Sequence, residues 1–182
     1  MDTNNLHFHY VCTHNEAKKI IEKHRRFWVS NCGCREKRGK CSRSRIDVCL
    51  YFRDDIAYFG TKFHEVRKSA VKKMLQEAKD KFLVTRPFRD EKNMKKNGGI
   101  CFCCDDCCEY FLDPKSECDK GKFVEKTNRN KCSHCGTCVD VCYFKARKIN
   151  DDKLIIDKKK CYGCGLCMEV CPDDCITMVR RK

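Results

Sequence analysis

Two stretches of the chain carry apolar residues at helical spacing among charged ones. Thr13-His14-Asn15-Glu16 fits a capping box, and the apolar positions after it predict a helix from about Asn15 to Phe27. The same spacing recurs from Ser69 to Phe82 and predicts a second amphipathic helix there. The pattern thus predicts two long helices, both in the first half of the sequence.

Shorter apolar stretches predict extended segments. The stretch Cys49–Phe52 fits a strand or a short helix, and Phe82–Thr85, just before Pro87, predicts a short extended piece. The stretch from Arg89 to Gly99 is polar, and we expect a loop there. Because helices and strands are mixed along the chain, the fold class that this pattern predicts is α+β.

Composition narrows the class of protein. Twenty cysteines in 182 residues would suggest a disulfide scaffold in a secreted protein. However, the N-terminus has neither the basic start nor the apolar segment of a signal peptide, and no apolar run has the length of a membrane span. We therefore expect a cytoplasmic protein in a reducing, anaerobic setting, with no membrane partner and with cysteines that bind metal.

The cysteines near the C-terminus form a doubled string. It reads Cys132-x2-Cys135-x2-Cys138-x3-Cys142 and then Cys161-x2-Cys164-x2-Cys167-x3-Cys171-Pro172. Three cysteines at two-residue gaps can hold three corners of an iron–sulfur cube, and a fourth, set apart, completes a site. Zinc needs only four ligands and does not explain a repeated three-plus-one pattern. The string therefore indicates iron–sulfur clusters.

This string resembles the bacterial-type ferredoxins with two [4Fe-4S] clusters, over roughly Thr127 to Met178. In that family the fourth cysteine of each motif ligates the cluster of the other motif. The resemblance therefore implies two crossed ligand sets: Cys132, Cys135, Cys138 and Cys171 for one cluster, and Cys161, Cys164, Cys167 and Cys142 for the other.

The resemblance also implies two short helices and two short hairpins around the clusters. One hairpin would pair Arg147–Ile149 with Leu154–Ile156 across an Asn-Asp-Asp turn, and Ile176–Met178 would be a final strand. The chain departs from the family at Tyr143, where a proline normally follows the last cysteine of the motif, whereas Pro172 obeys the pattern. We therefore expect Tyr143 to change the potential or the solvent shielding of the cluster that Cys142 ligates.

Nine further cysteines fall into two groups nearer the N-terminus. They are Cys32, Cys34, Cys41 and Cys49, and then Cys101, Cys103, Cys104, Cys107 and Cys108. Ordinary packing does not cluster cysteines so densely, and directly adjacent cysteines cannot form a disulfide without strain. Three interpretations stay open for these nine: one or two further [4Fe-4S] clusters, structural zinc, or a redox site of free thiols.

Part of this region resembles the cysteine-dense segment of multi-cluster ferredoxin-like proteins of anaerobes. The resemblance lies in Cys32-Gly33-Cys34-Arg35 and Cys101-Phe102-Cys103-Cys104, and it implies metal binding. We accordingly predict two units: residues 1–126 as a cysteine-rich metal-binding domain and residues 127–182 as the two-cluster ferredoxin domain.

The net charge of +14 is concentrated in one stretch. Between Lys18 and Arg45 eleven lysines and arginines stand against only Glu22 and Glu36. Such a stretch is a solvated surface, a docking face for an acidic redox partner, or a nucleic-acid surface. Nucleic acid is the weakest of the three, because few aromatics are interleaved and no nucleic-acid-binding motif is present.

Together these features predict an electron-transfer protein that relays single electrons to or from a redox partner enzyme, rather than an enzyme itself. The alternative is an enzyme or subunit that uses the N-terminal cluster or thiols for reductive chemistry, fed by the ferredoxin unit; no nucleotide or flavin fingerprint supports it. A zinc module or redox-sensing regulator that binds through residues 18–45 is a third hypothesis. The positive charge also predicts cluster potentials less negative than those of an acidic ferredoxin.

Overall fold

The computed structural model describes residues 6–53, 63–113 and 115–182. The first part of the chain contains α1 (His14–Glu22), β1 (Phe27–Ser30), α2 (Gly33–Arg38), β2 (Cys49–Tyr51), β3 (Phe63–Val66), α3 (Lys68–Asp80), β4 (Val84–Asp90), β5 (Asn93–Cys103) and α4 (Glu109–Leu112). The rest contains β6 (Phe123–Thr127), α5 (Thr137–Asp140), β7 (Arg147–Asn150), β8 (Lys153–Ile156), α6 (Leu166–Glu169) and β9 (Ile176–Arg180). The chain is therefore of the mixed helix and strand class.

An antiparallel sheet with the strand order β3-β1-β2-β5-β4 organises the N-terminal part. Helices α1 and α3 contact each other, and their buried residues join those of the sheet in one core. The helices contribute Ala17, Ile21, Val71, Met74 and Ala78 to this core. The amphipathic spacing in the sequence therefore corresponds to the buried sides of these two helices.

Helix α1 begins as predicted, and the capping box is confirmed. The Thr13 hydroxyl accepts a hydrogen bond from the Glu16 amide, and the Glu16 carboxylate accepts one from the Thr13 amide. The predicted end at Phe27 is wrong, because the helix ends at Glu22 and Phe27 begins strand β1. The aromatic and β-branched run from Phe27 to Val29 favours a strand, and it pairs with β2 and β3.

The predicted loop from Arg89 to Gly99 is also wrong, since most of it forms the hairpin of β4 and β5. The Asp90 carboxylate accepts hydrogen bonds from the amides of Lys92 and Asn93 at the turn. The outer part of this hairpin is largely exposed, so it needs no alternating apolar residues, and backbone pairing alone defines it. The stretch at Cys49 is the short strand β2, which resolves the strand-or-helix alternative.

The C-terminal part of the chain, residues 123–182, contains the predicted hairpin and final strand, and we call it the C-terminal half. Strands β7 and β8 pair with Arg147 opposite Ile156 and Ile149 opposite Leu154, which confirms the predicted pairing. Strand β9 begins at Ile176 and pairs with β6. Because β6 crosses the predicted boundary between residues 126 and 127, strand pairing links the two sides of that boundary; the division into two units stays a prediction.

Aromatic rings join the two halves of the molecule. Phe144 and Tyr162 of the C-terminal half stack with ring centroids 4.4 Å apart, and Tyr110 and Phe111 of the N-terminal part contact Phe144 edge-on or tilted. Tyr143, only 5% exposed, belongs to the same core as the N-terminal sheet. None of the helices in the described ranges combines the length and the apolar character that crossing a membrane requires.

Candidate metal centres

Four of the predicted C-terminal ligands surround one small cavity: Cys142, Cys161, Cys164 and Cys167. Cys142 comes from the first motif and the other three from the second, so the fold brings together a crossed set. The loop that carries the three is tightly constrained at Gly163, which has φ +80° and lies so close to Phe123 that an added Cβ would be 2.1 Å from its carbonyl oxygen. A glycine is required there because any side chain would collide with strand β6.

The other four predicted ligands are Cys132, Cys135, Cys138 and Cys171. The side chains of Cys132, Cys138 and Cys171 pack in one small buried group, and Cys135 is exposed beside it. Cys175 is buried, and its sulfur lies 3.4 Å from that of Cys171. Both sets therefore contain three thiols of one motif and the last thiol of the other.

Burial opposes ionisation of several of these thiols. It raises the pKa of Cys167 to about 12, and it raises the pKa values of Cys138 and Cys142 as well. A metal ligand must be a thiolate, so metal binding at these positions has to displace protons. Positive groups near the sulfurs would offset the negative charge that thiolates bring into the buried site.

One such positive group is a buried arginine that sequence reasoning missed. Arg147, at the start of β7, donates to the Cys138 sulfur at 3.2 Å and to the Glu125 carboxylate at 2.6 Å. Both charged side chains are only 2% exposed. The Arg147 cation also interacts electrostatically with Cys167, a thiol of the other set. A paired cation therefore lies between the two thiol sets. The sequence offered no signal for it, because the hairpin also carries Lys148, Asp151, Asp152 and Lys153.

In the N-terminal part, three of the nine predicted metal ligands form a tight group. The sulfur of Cys104 lies 3.5 Å from that of Cys41 and 3.5 Å from that of Cys107, and all three lie within 4.8 Å of one another. Cys41 comes from the loop after α2, and the other two come from the turn after β5. We call Cys41, Cys104 and Cys107 the thiol trio.

The other six form a wider ring around a cavity. Around the ring, each cysteine interacts through its side chain with the next, in the order Cys32, Cys34, Cys108, Cys103, Cys101, Cys49 and back to Cys32. The sulfurs of Cys49 and Cys101 are 3.9 Å apart, and the His9 Nε2 atom is 3.8 Å from that of Cys101. A cavity of about 190 Å³ is lined by five of the six, all but Cys49. We call these six cysteines the thiol ring.

Each N-terminal group has its own buried arginine. Arg86 donates to the Cys108 sulfur at 3.2 Å and to the Cys103 sulfur at 3.7 Å, and its guanidinium lies over the Tyr110 ring. Arg35 is 1% exposed, donates to the Phe102 carbonyl and interacts with Cys107 of the trio. Burial alone would lower the pKa of each guanidinium, but the surrounding thiolates outweigh it and raise both pKa values.

Tyr143 lies between the trio and the C-terminal thiols. Burial raises the pKa of its phenol to about 12, and both Cys104 and Cys164 are among its electrostatic neighbours. The Arg43 guanidinium is 5.0 Å from its ring centroid. Within the described residues its hydroxyl has no hydrogen-bond partner. The residue that replaces the family's proline is therefore a bridge between the two halves.

The basic stretch from Lys18 to Arg45 is only partly a free positive surface. Arg35 is buried, and ion pairs hold several other cations: Arg26 to Glu65, Lys37 to Glu109, Arg43 to Asp105, and Arg45 to Asp47 and Glu77. Lys18, Lys19, Lys23, Arg25, Arg38 and Lys40 are exposed. Lys37 and Arg38 line a groove together with Cys34 and Cys107, and Glu109 and Asp113 line it too, so charges of both signs lie beside the two N-terminal thiol groups.

The donor sets fit iron–sulfur chemistry. Each C-terminal set offers four thiols, spaced more widely than the trio: within the described residues, the trio is the one set of three cysteine, histidine or carboxylate ligands whose donor atoms all lie within 4.8 Å. Cube ligands are widely spaced because each thiolate binds a different iron. Buried cations and hydrogen-bond donors to sulfur, which tune a cluster's potential, are present as well.

Comparison with known protein families agrees for the C-terminal half. Residues 131–175 match the family model described as a 4Fe-4S dicluster domain. A search of the curated proteins finds no match to the chain. The residues matched contain the eight predicted C-terminal ligands and Cys175, so this region carries an iron–sulfur domain. The resemblance of the N-terminal part has no such support.

Proposed function

We propose that this protein is an electron carrier in which two [4Fe-4S] clusters in the C-terminal half exchange single electrons with a partner enzyme and with metal centres in the N-terminal part. The observation that carries the proposal is the convergence of eight thiols into two crossed sets inside a region that matches a 4Fe-4S dicluster domain. Cys132, Cys135, Cys138 and Cys171 hold one cluster, and Cys161, Cys164, Cys167 and Cys142 hold the other.

A [4Fe-4S] cluster supplies reversible one-electron redox chemistry. The chain's own contribution is to set the potentials and to limit solvent access. Arg147 stabilises extra negative charge on the thiolates through its bond to Cys138 and its field at Cys167, and Glu125 partly offsets that charge. Since reduction adds negative charge, the net positive field raises both potentials.

The packing of the two halves supports a continuous path between centres. Cys104 and Cys164 are both electrostatic neighbours of Tyr143. Phe111 packs edge-on against Tyr143 and against Phe144, which stacks on Tyr162. Close packing brings redox centres near one another and excludes water from between them. Electrons would thus enter or leave by one end and pass through the buried aromatic contact without any atom being transferred.

We further propose that the partner docks at the exposed cations near α2, through an acidic surface. Arg38, which lines the groove beside Cys34 and Cys107, and Lys40, two residues further along the chain, are both exposed. Lys37 is paired with Glu109 in the same groove. Complementary charge accelerates docking of redox partners and is screened by salt.

The experiment that tests the main proposal is a count of iron and acid-labile sulfide on anaerobically purified, full-length protein, combined with electron paramagnetic resonance of the reduced form. We expect at least eight irons and eight sulfides per chain, and the spectrum of two interacting clusters in the reduced form. Fewer than four irons with no labile sulfide would refute it.

The docking proposal has a separate test with a matched control. With an acidic one-electron donor, the R38E/K40E variant should be reduced several-fold more slowly at low salt, and wild type should slow as salt rises. The control is K18E/K19E, which changes charge equally on exposed positions of α1. Equal slowing in both variants would show a general charge effect and no docking at α2.

A further inference from the structure

We propose that the nine N-terminal cysteines form two separate metal sites of different nuclearity. The thiol trio binds a single tetrahedral metal ion of the zinc or ferrous iron class, and the thiol ring encloses one polynuclear iron–sulfur centre. This inference deepens the proposed function, on which it rests, because it assigns the N-terminal metals of the electron carrier.

The spacing of the trio fits a single ion. Four sulfurs around one tetrahedral metal lie about 3.8 Å apart, because each metal–sulfur bond is about 2.3 Å long. The two shortest separations in the trio are both 3.5 Å. A cube cannot hold thiolates at that distance, since each binds a different iron. The C-terminal thiols provide the internal comparison, because none of their groups of three falls within 4.8 Å in the described chain.

A carboxylate next to the trio supplies a fourth ligand. The Asp106 carboxylate accepts a hydrogen bond from the Ser42 amide at 2.8 Å and interacts with the Cys41 side chain. Carboxylate oxygen is a normal ligand of a tetrahedral zinc or iron site, alongside thiolates. Asp106 lies beside Cys41 but outside the group of donor atoms within 4.8 Å, so its carboxylate has to turn toward the trio to complete a site of three sulfurs and one oxygen.

Among the described residues, the sulfurs of the thiol ring approach one another in pairs, such as Cys49 and Cys101 at 3.9 Å, and not in groups of three. One ion therefore does not collect three of them, whereas the irons of a polynuclear centre can each take a pair. The members of the ring interact in sequence around a cavity of about 190 Å³, yet none of its groups of three falls within 4.8 Å in the described chain. Six thiolates exceed the four that one ion or one cube takes, so the ring encloses a larger assembly of iron and sulfide. Arg86, in contact with two of the six, partly neutralises the accumulated negative charge.

The backbone explains why neighbouring cysteines belong to different sites. Cys101 and Cys103 are two residues apart in strand β5 and therefore lie on one face of the sheet, facing the ring. Strand β5 ends at Cys103, so Cys104 lies in the turn that leads to the trio. Cys107 lines part of the same cavity wall, and it is where the two sites adjoin.

Metal and sulfide analysis of full-length variants tests this division. Cys41→Ser changes a half-buried member of the trio, and Cys34→Ser changes a half-buried member of the ring. Cys12→Ala is the matched control, because Cys12 is a buried cysteine outside both groups. We expect Cys41→Ser to lose one metal ion per chain with sulfide unchanged, and Cys34→Ser to lose iron and sulfide together. Cys12→Ala should lose neither.

The result that overturns the proposal is a loss of sulfide in Cys41→Ser as large as in Cys34→Ser, which would place the trio and the ring on one cluster. A Cys34→Ser variant that loses one ion and no sulfide would overturn it too. If a variant fails to fold, spectroscopy of the unmodified protein still tests the trio site. X-ray absorption at the zinc edge should show only sulfur and oxygen neighbours, or, if the ion is iron, Mössbauer spectra should show one mononuclear iron beside the clusters. Protein with neither zinc nor a mononuclear iron would refute the trio site.

Failure of this inference is distinguishable from failure of the proposed function. The C-terminal clusters are counted in the Cys34→Ser/Cys41→Ser double variant, in which both N-terminal sites are damaged. About eight irons with eight sulfides and the reduced spectrum of two clusters should remain there. If they remain while the variants show one shared N-terminal cluster, only the division into two sites is wrong.

Discussion

The two cysteine-rich regions of this protein assemble their thiols by different means. In the C-terminal half, Cys132, Cys135 and Cys138 lie within one short loop that runs into α5, so local spacing brings three ligands together. In the thiol trio, Cys41 and Cys104 are 63 residues apart and meet only because strands β2, β5 and their connections pack as they do. In the C-terminal region the sequence therefore shows the ligand sets as a motif. In the N-terminal region it shows that cysteines are dense but not which of them meet.

The regions also differ in what holds them together. The small core of the C-terminal half consists of Cys138, Leu154, Cys167, Cys175 and Ile176, of which three are cysteines. The core of the N-terminal part contains many large apolar side chains from two helices and a sheet. Metal is therefore part of the folding free energy in the first region and less so in the second.

Removal of iron should show the difference between the two regions most strongly. With an iron chelator under anaerobic conditions, we expect amides of β6 to β9 to lose hydrogen-exchange protection while those of α1, α3 and β5 keep most of it. Hydrogen exchange followed by mass spectrometry measures this directly. Equal loss in both regions would show that the N-terminal sheet also depends on iron.

Arg147 offers the next largest effect. Arg147→Met leaves the Glu125 carboxylate buried without its cation, so we expect a loss of roughly 3–5 kcal/mol in stability. We also expect cluster potentials lower by roughly 60 mV, if the lost bond to sulfur stabilises the reduced state by about 1.4 kcal/mol.

The double variant Glu125→Gln/Arg147→Met separates these two effects. It removes both buried charges, so stability should largely return, whereas the bond to the Cys138 sulfur is still missing. Voltammetry and chemical unfolding are the two measurements. Unchanged potentials in Arg147→Met would contradict the role of the arginine in setting them.

A pair of glycines compares the two regions more finely. Gly163→Ala must place a side chain at φ +80° against the Phe123 carbonyl, so we expect a loss of roughly 3 kcal/mol and a lower iron content. Gly33→Ala, in the Cys32-Gly33-Cys34 string, meets no atom within 4 Å and lies in helix α2. It should change stability by at most about 1 kcal/mol. Comparable losses in both would show that α2 is as tightly constrained as the cluster loop.

The smallest expected effect concerns the contact between the regions. Tyr143→Phe removes a buried hydroxyl that has no partner among the described residues, so stability should rise by about 1 kcal/mol. Tyr143→Ala, by contrast, should be destabilising by roughly 3–5 kcal/mol because it leaves a cavity. Thermal unfolding of both variants is the measurement. A loss of stability in Tyr143→Phe would reveal a hydrogen bond at this hydroxyl.

Much of the local structure could be predicted from sequence because its causes are local. The capping box at Thr13 and the turn between β7 and β8 depend on residues only a few positions apart. The error at Arg89–Gly99 has the same origin, since an exposed hairpin needs no apolar alternation and its pairing partner is invisible in the segment itself. Likewise, the early end of α1 follows from the pairing of β1 with β2 and β3.

By itself, then, the sequence identified the eight C-terminal cysteines as candidate ligands of iron–sulfur clusters. That information lies in short, repeated spacings. Only the tertiary structure decided which of the nine N-terminal cysteines meet, and it alone revealed Arg147 with Glu125 between the two C-terminal sets. The physical reason is that these contacts join residues from separate strands and loops. Their proximity is a property of the packed core, and no local pattern records it.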